Sequence, residues 1–472
     1  MATTSRSGHG THWHLGESWR RFPAHWTVAA WLWLDLPTFL WWLGLDRWRT
    51  LWRSPAAVVF QGPAADHLAA ALWYVAGIAT LVVSYRPLIN HIKARPRANI
   101  PMMGATIALA TISFPFVSHD LFVYYAEWRV MAIHQINPML NPVSRIPYWR
   151  HDPWLTLGGW QETVNPYGPA WFLLVRILGG IASNFVGFFI AWKTLALVSV
   201  LMTAWLVERL VKNGGGVRYL FHPVVSIELL SNAHNDTVMM ALAVLAYLLW
   251  THRRWTIAGV IMGASIATKY ISGIVWAWMV AASPDFKSRL STCLGATIAG
   301  LVLIIPFWHG PKTLFGPLGA VHLFLRSPAF LVQGTLVHLS HMPRGRARHW
   351  AFLSTASLFT LIYLFLSRQF LKSRDPIWIG DALLAAALVL MSWMQFWYIS
   401  WSLPFYLLSH QARAARMIYY LAGLELVRAL GWPLGLPAAI QIMETATIWG
   451  GLTWAIWPLI RGRVHASRLS HP

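Results

Sequence analysis

The sequence predicts an all-α, polytopic integral membrane protein, and three observations carry that prediction. Hydrophobic residues make up 57% of the 472-residue chain. Charged residues make up 11%, against about 25% in ordinary soluble domains. The apolar residues are also gathered into a long series of runs divided by short polar loops, the pattern of a chain whose solvent is largely lipid.

In chain order, residues 1–25 are polar and basic (Arg6, Arg20, Arg21) and are expected to form a cytoplasmic tail. The first apolar run, near 26–46, lacks a small-residue cleavage site, so it is expected to be a retained helix rather than a signal peptide. Further runs lie near 66–85, 100–118, 184–207, 218–232, 237–251, 255–271, 272–282, 289–308, 350–367, 377–393, 397–410, 416–431 and 442–459. Several are shorter than the roughly 20 residues that a perpendicular span needs, so the expected number is about 12–14 transmembrane helices. Without a repeat or an appended soluble domain, residues 26–460 read as one membrane domain, followed by a cytoplasmic tail at 461–472.

The net charge of +21, from 37 Lys+Arg and 16 Asp+Glu, does not point to a nucleic-acid partner. The basic residues are scattered through short loops and form no stripe interleaved with aromatics. Placing the N-terminus inside and keeping 168–182 outside without crossing puts Arg86/Lys93/Arg95/Arg97, Arg209/Lys212/Arg218, Arg253/Arg254, Lys287/Arg289, Arg368/Lys372/Arg374, Arg413/Arg416 and Arg461/Arg463 on the cytoplasmic side. Arg47/Arg49/Arg53 and Arg344/Arg346/Arg348 break the rule. Two external segments, 119–183 and 309–349, are too long for simple turns and carry amphipathic stretches expected to lie at the interface. A lone cysteine, Cys293, excludes an intrachain disulfide.

The acids narrow the search for chemistry. Asp285 and Asp375 fall in cytoplasmic loops, Glu425 has Arg428 three residues on as a local partner, and the external side holds Asp120, Glu127, Asp152, Glu162 and Asp236. Asp120 stands where a span ends and the amphipathic stretch DLFVYYAEWR begins, within reach of both lipid and water. It reads as a cap for a helix starting at Leu121, or as a general base kept ionised by Arg129 or a helix terminus. Tyr124, Arg129 and Asn137 of the same segment, and Tyr167 in VNPYGPAWF, are candidates for substrate binding. His234, Asn235 and Asp236 join two apolar helices, with Glu228 inside the first; intramembrane acids are costly and default to paired or functional roles. Asp236 also reads as a helix cap.

Lys269 either snorkels or neutralises a leaving phosphate, and Lys193, halfway down a span, needs a partner. Arg344 and Arg346 read as a clamp for lipid phosphate or as a cytoplasmic loop misplaced by the topology. Trp397 and Tyr398, in QFWYISWSLPFY, read as an interfacial belt or as a wall for a sugar. The His119/Asp120 pair offers too few ligands for a metal site.

Taken together, the order SHDLFVYYAEWRVMAIHQINPMLNPV, VNPYGPAWF, HPVVSIELLSNAHND, ATKY and FWYISWSLPF resembles the polyprenyl-phosphate-dependent glycosyltransferases of the GT-C superfamily, most of all the bacterial multi-pass α-mannosyltransferases that build lipoglycan mannans. The resemblance spans about 100–405. It implies a base at Asp120, substrate contacts at His234, Asn235, Asp236, Trp397 and Tyr398, and an inverting, nucleotide-independent transfer of a sugar, most simply mannose. The donor it implies is a polyprenyl-phosphate-linked sugar and the acceptor a glycan or glycolipid, with chemistry on the extracytoplasmic face of the cell membrane. Trp128, Met139 and His222 stand where that pattern more often has Gly, Tyr and Asn. Two other readings compete: a transporter or lipid flippase, favoured by Lys193 and Glu228 but lacking paired repeats, and a ligase or polymerase using lipid-linked oligosaccharide.

Overall fold

The computed structural model describes residues 23–42, 64–115, 118, 120–157, 160–182, 184–315, 327–409, 411–434, 446–447 and 450. Most of the expected N-terminal tail, the Arg47/Arg49/Arg53 cluster, His119, residues 316–326, most of the run at 442–459 and the C-terminal tail lie outside the described residues.

Every regular element among the described residues is helical. In lipid this follows from the backbone, whose N–H and C=O groups have no water to bond and are satisfied within each helical segment. The principal helices are α1 (Pro23–Trp42), α2 (Ala64–Ala94), α3 (Ile100–Ile112), α4 (Asp120–Ala132), α5 (Pro169–Ala182), α6 (Phe185–Val211), α7 (Gly215–Leu220), α8 (Asp236–Thr251), α9 (Trp255–Thr268), α10 (Gly273–Ala282), α11 (Phe286–Ile304), α12 (Pro328–Leu339), α13 (Arg344–Ser373), α14 (Ile377–Ala385) and α15 (Ala412–Leu434). By length and composition, four described helices can cross a membrane: Ala71–Ala94, Phe185–Val211, Phe286–Phe307 and Arg344–Ser373. Six shorter apolar helices accompany them. Among these is α5, whose 14 residues span about 21 Å, short of a bilayer core of roughly 30 Å.

Caps set several boundaries. Asn184 accepts from Gly187 N–H before α6, and Ser327 from Phe330 N–H before α12. Asp285 accepts from both Ser288 N–H and Ser288 Oγ–H at the start of α11, and these two bonds hold its carboxyl below its ordinary range. The apolar run 218–232 is not one helix. It breaks after α7 and resumes as a π-helical turn, Val225–Ser231. Such turns widen the helix and leave carbonyls without helical donors. Lys193 answers this need: its Nζ donates to Leu230 O (2.9 Å), Ser231 O and Ser113 O (2.7 Å). The intramembrane lysine of α6 is therefore a clamp on a broken helix.

Small residues let α9 and α11 approach closely. A Cβ on Gly259 would strike Thr292 O, one on Gly263 would sit 2.5 Å from Ala296 O, and one on Gly295 would strike Thr256 O. This is the small-residue packing by which helices associate in lipid. Gly263→Val is expected to lower the apparent melting temperature in detergent by overpacking, a cost of about 1–3 kcal/mol. Gly300→Val in the partner helix α11, where a Cβ meets nothing within 4 Å, is the control and should leave it unchanged. Equal effects of the two would remove the argument.

Among the described residues, several of the basic loops are tied to neighbouring helix ends. Lys93 Nζ donates to Asn213 O (3.0 Å) and Tyr85 OH to Arg218 O (2.9 Å). Arg374 reaches Ala282 O, and Gln411 Nε2 donates to Asp375 (2.6 Å). Asp120, Tyr167, His234, Lys269 and Trp397 form a separate cluster, at or beside the ends of α4, α5, α8 and α9 and in the segment 396–401.

Candidate active site

The site begins with the register of α4. Asp120, Tyr124 and Glu127 recur at helical spacing and fall on one buried face. Ser118 Oγ accepts from Asp120 N–H, and an acid in the first turn suits the positive end of the helix. The Asp120 carboxylate turns inward: its Oδ2 lies 3.4 Å from Tyr124 OH and 3.0 Å from His234 Nδ1. Tyr124 OH in turn accepts from Asn235 N–H at 3.0 Å. The helix expected to begin at Leu121 begins at Asp120, and the side chain beside its carboxylate is His234, not the expected Arg129. Arg129 Nε donates to Asp152 at 2.8 Å, because it lies two turns along α4 on the side facing the 149–157 segment.

The second wall is the NPYGP loop. Glu127 accepts from Asn165 Nδ2 and, at 2.7 Å, from Trp171 Nε1. Burial pushes the Glu127 carboxyl well above its ordinary range, against the effect of those bonds. Asn165 Oδ1 accepts from Tyr167 N–H (3.1 Å), and Gly168 N–H donates to Thr268 O (3.1 Å). A Cβ on Gly168 would strike Ala267 O, so only glycine lets this loop lie against the end of α9.

Lys269 follows directly after α9. Its Nζ is 2.8 Å from Asp236 Oδ1, which also accepts from Trp401 Nε1. The ammonium stands 4.4 Å from the Tyr398 ring centre and 5.1 Å from that of Trp401. Lys269 is 7% exposed and Asp236 0%, so the lysine is a buried partner and not a snorkelling side chain. Trp397 and Tyr398 are likewise buried, which replaces the belt reading with a wall. Trp397 stacks on His234 with ring centres 3.8 Å apart at 11°. His234 Nε2 lies 3.0 Å from Glu228 Oε2, and Glu228 forms an ion pair with Arg428. Arg428, expected beside Glu425, acts on that carboxyl and also forms an ion pair with Glu228, across the bundle.

These walls enclose a cavity of about 260 Å³ lined by Asp120, Glu127, Asn141, Trp160, Asn165, Tyr167, Trp393, Gln395, Trp397 and Tyr398 among others. That is close to the lower end of small-ligand sites, roughly 300–1,000 Å³. Of the sequence candidates, Asp120, Tyr167, Trp397 and Tyr398 line it. Tyr124, His234, Asn235, Asp236 and Lys269 form the layer behind. Asn137 does not line it: its Nδ2 donates to Phe307 O (2.7 Å) and its Oδ1 accepts from Met139 N–H, fastening the NPML turn to the chain after α11. Arg344 and Arg346 are exposed in the first turn of α13 and do not line the cavity.

Sequence reasoning passed over Glu127, Asn165, Trp171 and the Glu228–Arg428 pair as site residues. The cost of an intramembrane acid singled out Glu228, but its counter-ion Arg428 lies on another helix. The two carboxylates beside His234 approach opposite ring nitrogens, and among the described residues no group of three or more His, Cys, Asp or Glu is arranged to hold one metal ion.

Comparison with known proteins decides the family. The sequence pattern described as "Alpha-(1->6)-mannopyranosyltransferase, N-terminal domain" matches residues 40–285, more than half of the chain. The chain belongs to this mannopyranosyltransferase family. Two relatives are named alpha-(1->6)-mannopyranosyltransferase A. The Mycobacterium tuberculosis protein is 25% identical over 234 residues, 44% of this chain and 42% of its own length. The Corynebacterium glutamicum protein is 21% identical over 183 residues, 35% of each chain. The matched part of this chain thus spans about two fifths or less of the length of these relatives. No solved structure matches the chain. The family region contains Asp120, Tyr167, His234, Asp236 and Lys269, whereas Trp397, Tyr398 and Arg428 lie beyond it. Where this family member departs from the expected pattern, the bulk is absorbed by packing. Trp128 lies against Gly179, Met139 is fully buried, and the His222 ring bonds Ile418 O at 2.8 Å.

Proposed function

We propose that this protein is a membrane mannosyltransferase that moves one mannosyl residue from a polyprenyl-phosphate donor to a hydroxyl of a lipid-linked or glycan acceptor, with inversion at the anomeric carbon. The observation that carries the reading is a carboxylate, Asp120, that lines a sugar-sized cavity while Tyr124 and His234 hold its Oδ2 in a fixed orientation. In the reaction, the acceptor oxygen bonds to the anomeric carbon as the bond from that carbon to the phosphate oxygen breaks. The electron pair leaves with the polyprenyl phosphate and Asp120 takes the hydroxyl proton. Tyr167, Trp397 and Tyr398 pack against the sugar. Lys269, through its bond to Asp236, stiffens the wall behind them, while Arg344 and Arg346 are available to a lipid phosphate at the interface. The location of the cavity away from the basic loops supports chemistry on the extracytoplasmic side.

The test is transfer of labelled mannose by membranes carrying the chain, with polyprenyl-phosphate-mannose or a mannose nucleotide as donor. Chain-dependent product from the lipid donor alone is the expected result. Product from the nucleotide under conditions that block formation of the lipid donor, or no product from either, would remove the proposal.

A further inference from the structure

Behind the cavity lies a chain of buried charge that substrate need not touch. His234 is 0% exposed and meets a carboxylate at each ring nitrogen, Asp120 at Nδ1 and Glu228 at Nε2, both at 3.0 Å. An ionised carboxylate only accepts hydrogen bonds, and a neutral imidazole donates from one nitrogen alone. Two carboxylates on one ring are both satisfied when the ring carries two protons. The partners of both carboxylates and the stacked indole bear on that state. Asn232 Nδ2 donates to Glu228 Oε2 (2.8 Å) and Arg428 pairs with its other oxygen, so Glu228 is supported as an anion. Tyr124 from α4 donates to the same Asp120 oxygen as His234, and Glu425 of α15 faces Glu228. Trp397 lies flat on the imidazole, which fixes its rotation and favours a cation at its face.

We infer that His234 is a positioning residue held as an imidazolium between Asp120 and Glu228, and that Glu228 and Arg428, which do not line the cavity, thereby control the charge and orientation of the proposed base. The inference rests on the reading of Asp120 as that base. Burial by itself would lower the His234 imidazole, but Asp120 and Glu228 together raise it above its ordinary value. The imidazolium is then complete at low pH, survives above the ordinary histidine range, and is lost as pH rises through the raised value. Transfer falls with it on the alkaline side. Removing the Glu228 charge weakens the imidazolium, so that alkaline limb moves to lower pH.

The experiment uses the full chain in detergent with 15N-labelled histidine. The His234 resonance is identified as the one missing from His234→Gln. An imidazolium signal at pH 7.5 in wild type, turning neutral at that pH in Glu228→Gln, is expected. With it, the alkaline limb of the pH–rate profile should fall by at least about one unit, the usual effect of removing a close opposite charge. A neutral His234 in wild type, or a Glu228→Gln variant whose limb and resonance are unmoved, would overturn the inference. Loss of rate at every pH with no shift would reduce these residues to packing and overturn it too. If Glu228→Gln does not fold, Glu228→Asp keeps the charge but retracts it from Nε2, and a smaller shift in the same direction is expected. If wild type transfers no sugar, the functional reading fails separately, and the histidine resonance still decides the protonation state.

Discussion

Asp120→Asn is expected to lower the rate of mannosyl transfer by about 10²–10⁴-fold, the range for loss of a positioned general base. The amide is isosteric with the carboxylate, so the contacts of Oδ2 with Tyr124 OH and His234 Nδ1 keep their places. What the amide lacks is basicity, and the acceptor hydroxyl then has to lose its proton to water in a cavity walled by aromatic rings. The loss should fall on kcat at saturating donor, with the donor KM changed much less, because the proton moves only in the transition state. Initial rates with labelled donor measure both quantities, and a melting curve on the same preparation reports folding. A variant that folds as wild type does and keeps more than a tenth of the rate would show that Asp120 is not the base.

The largest expected effect on stability is at Lys269. Its ammonium and the Asp236 carboxylate are buried at 2.8 Å, and the Trp401 indole completes the arrangement. Removing one member of such a pair leaves the other charge buried without its counter-ion, a loss of about 3–5 kcal/mol. Lys269→Met should therefore sharply lower the melting temperature or prevent folding. The double variant Lys269→Met/Asp236→Asn removes both charges and should recover most of the loss, since an absent pair costs far less than half a pair. Independent, additive effects of the two substitutions would contradict the pairing. The same cycle bears on function, because Tyr167 and Tyr398, both on the cavity wall, lie against the ammonium.

By itself the sequence determined the class of the protein, the order of its segments and most of the residue types that meet at the site. These are readable because they depend on local quantities: hydropathy over a window for the helices, Pro and Gly for the turns, and the cost of a lone acid or lysine in an apolar run for Glu228 and Lys193. Family membership follows the same linear order of motifs. The partners of those residues depended on the tertiary structure. Asp120 meets His234 114 residues away, and Asp236 meets Trp401 across 165. The nearest charge in sequence was an incomplete guide: Arg129 went to Asp152, and Arg428, near Glu425, also pairs with Glu228. A helix presents neighbours in sequence on different faces, and in lipid a buried charge must find its counter-ion wherever packing brings one within about 3 Å. Hydropathy carries no information on which faces meet. The packing of α4, the π-helical turn, the 396–401 segment and α15 around one histidine supplied it.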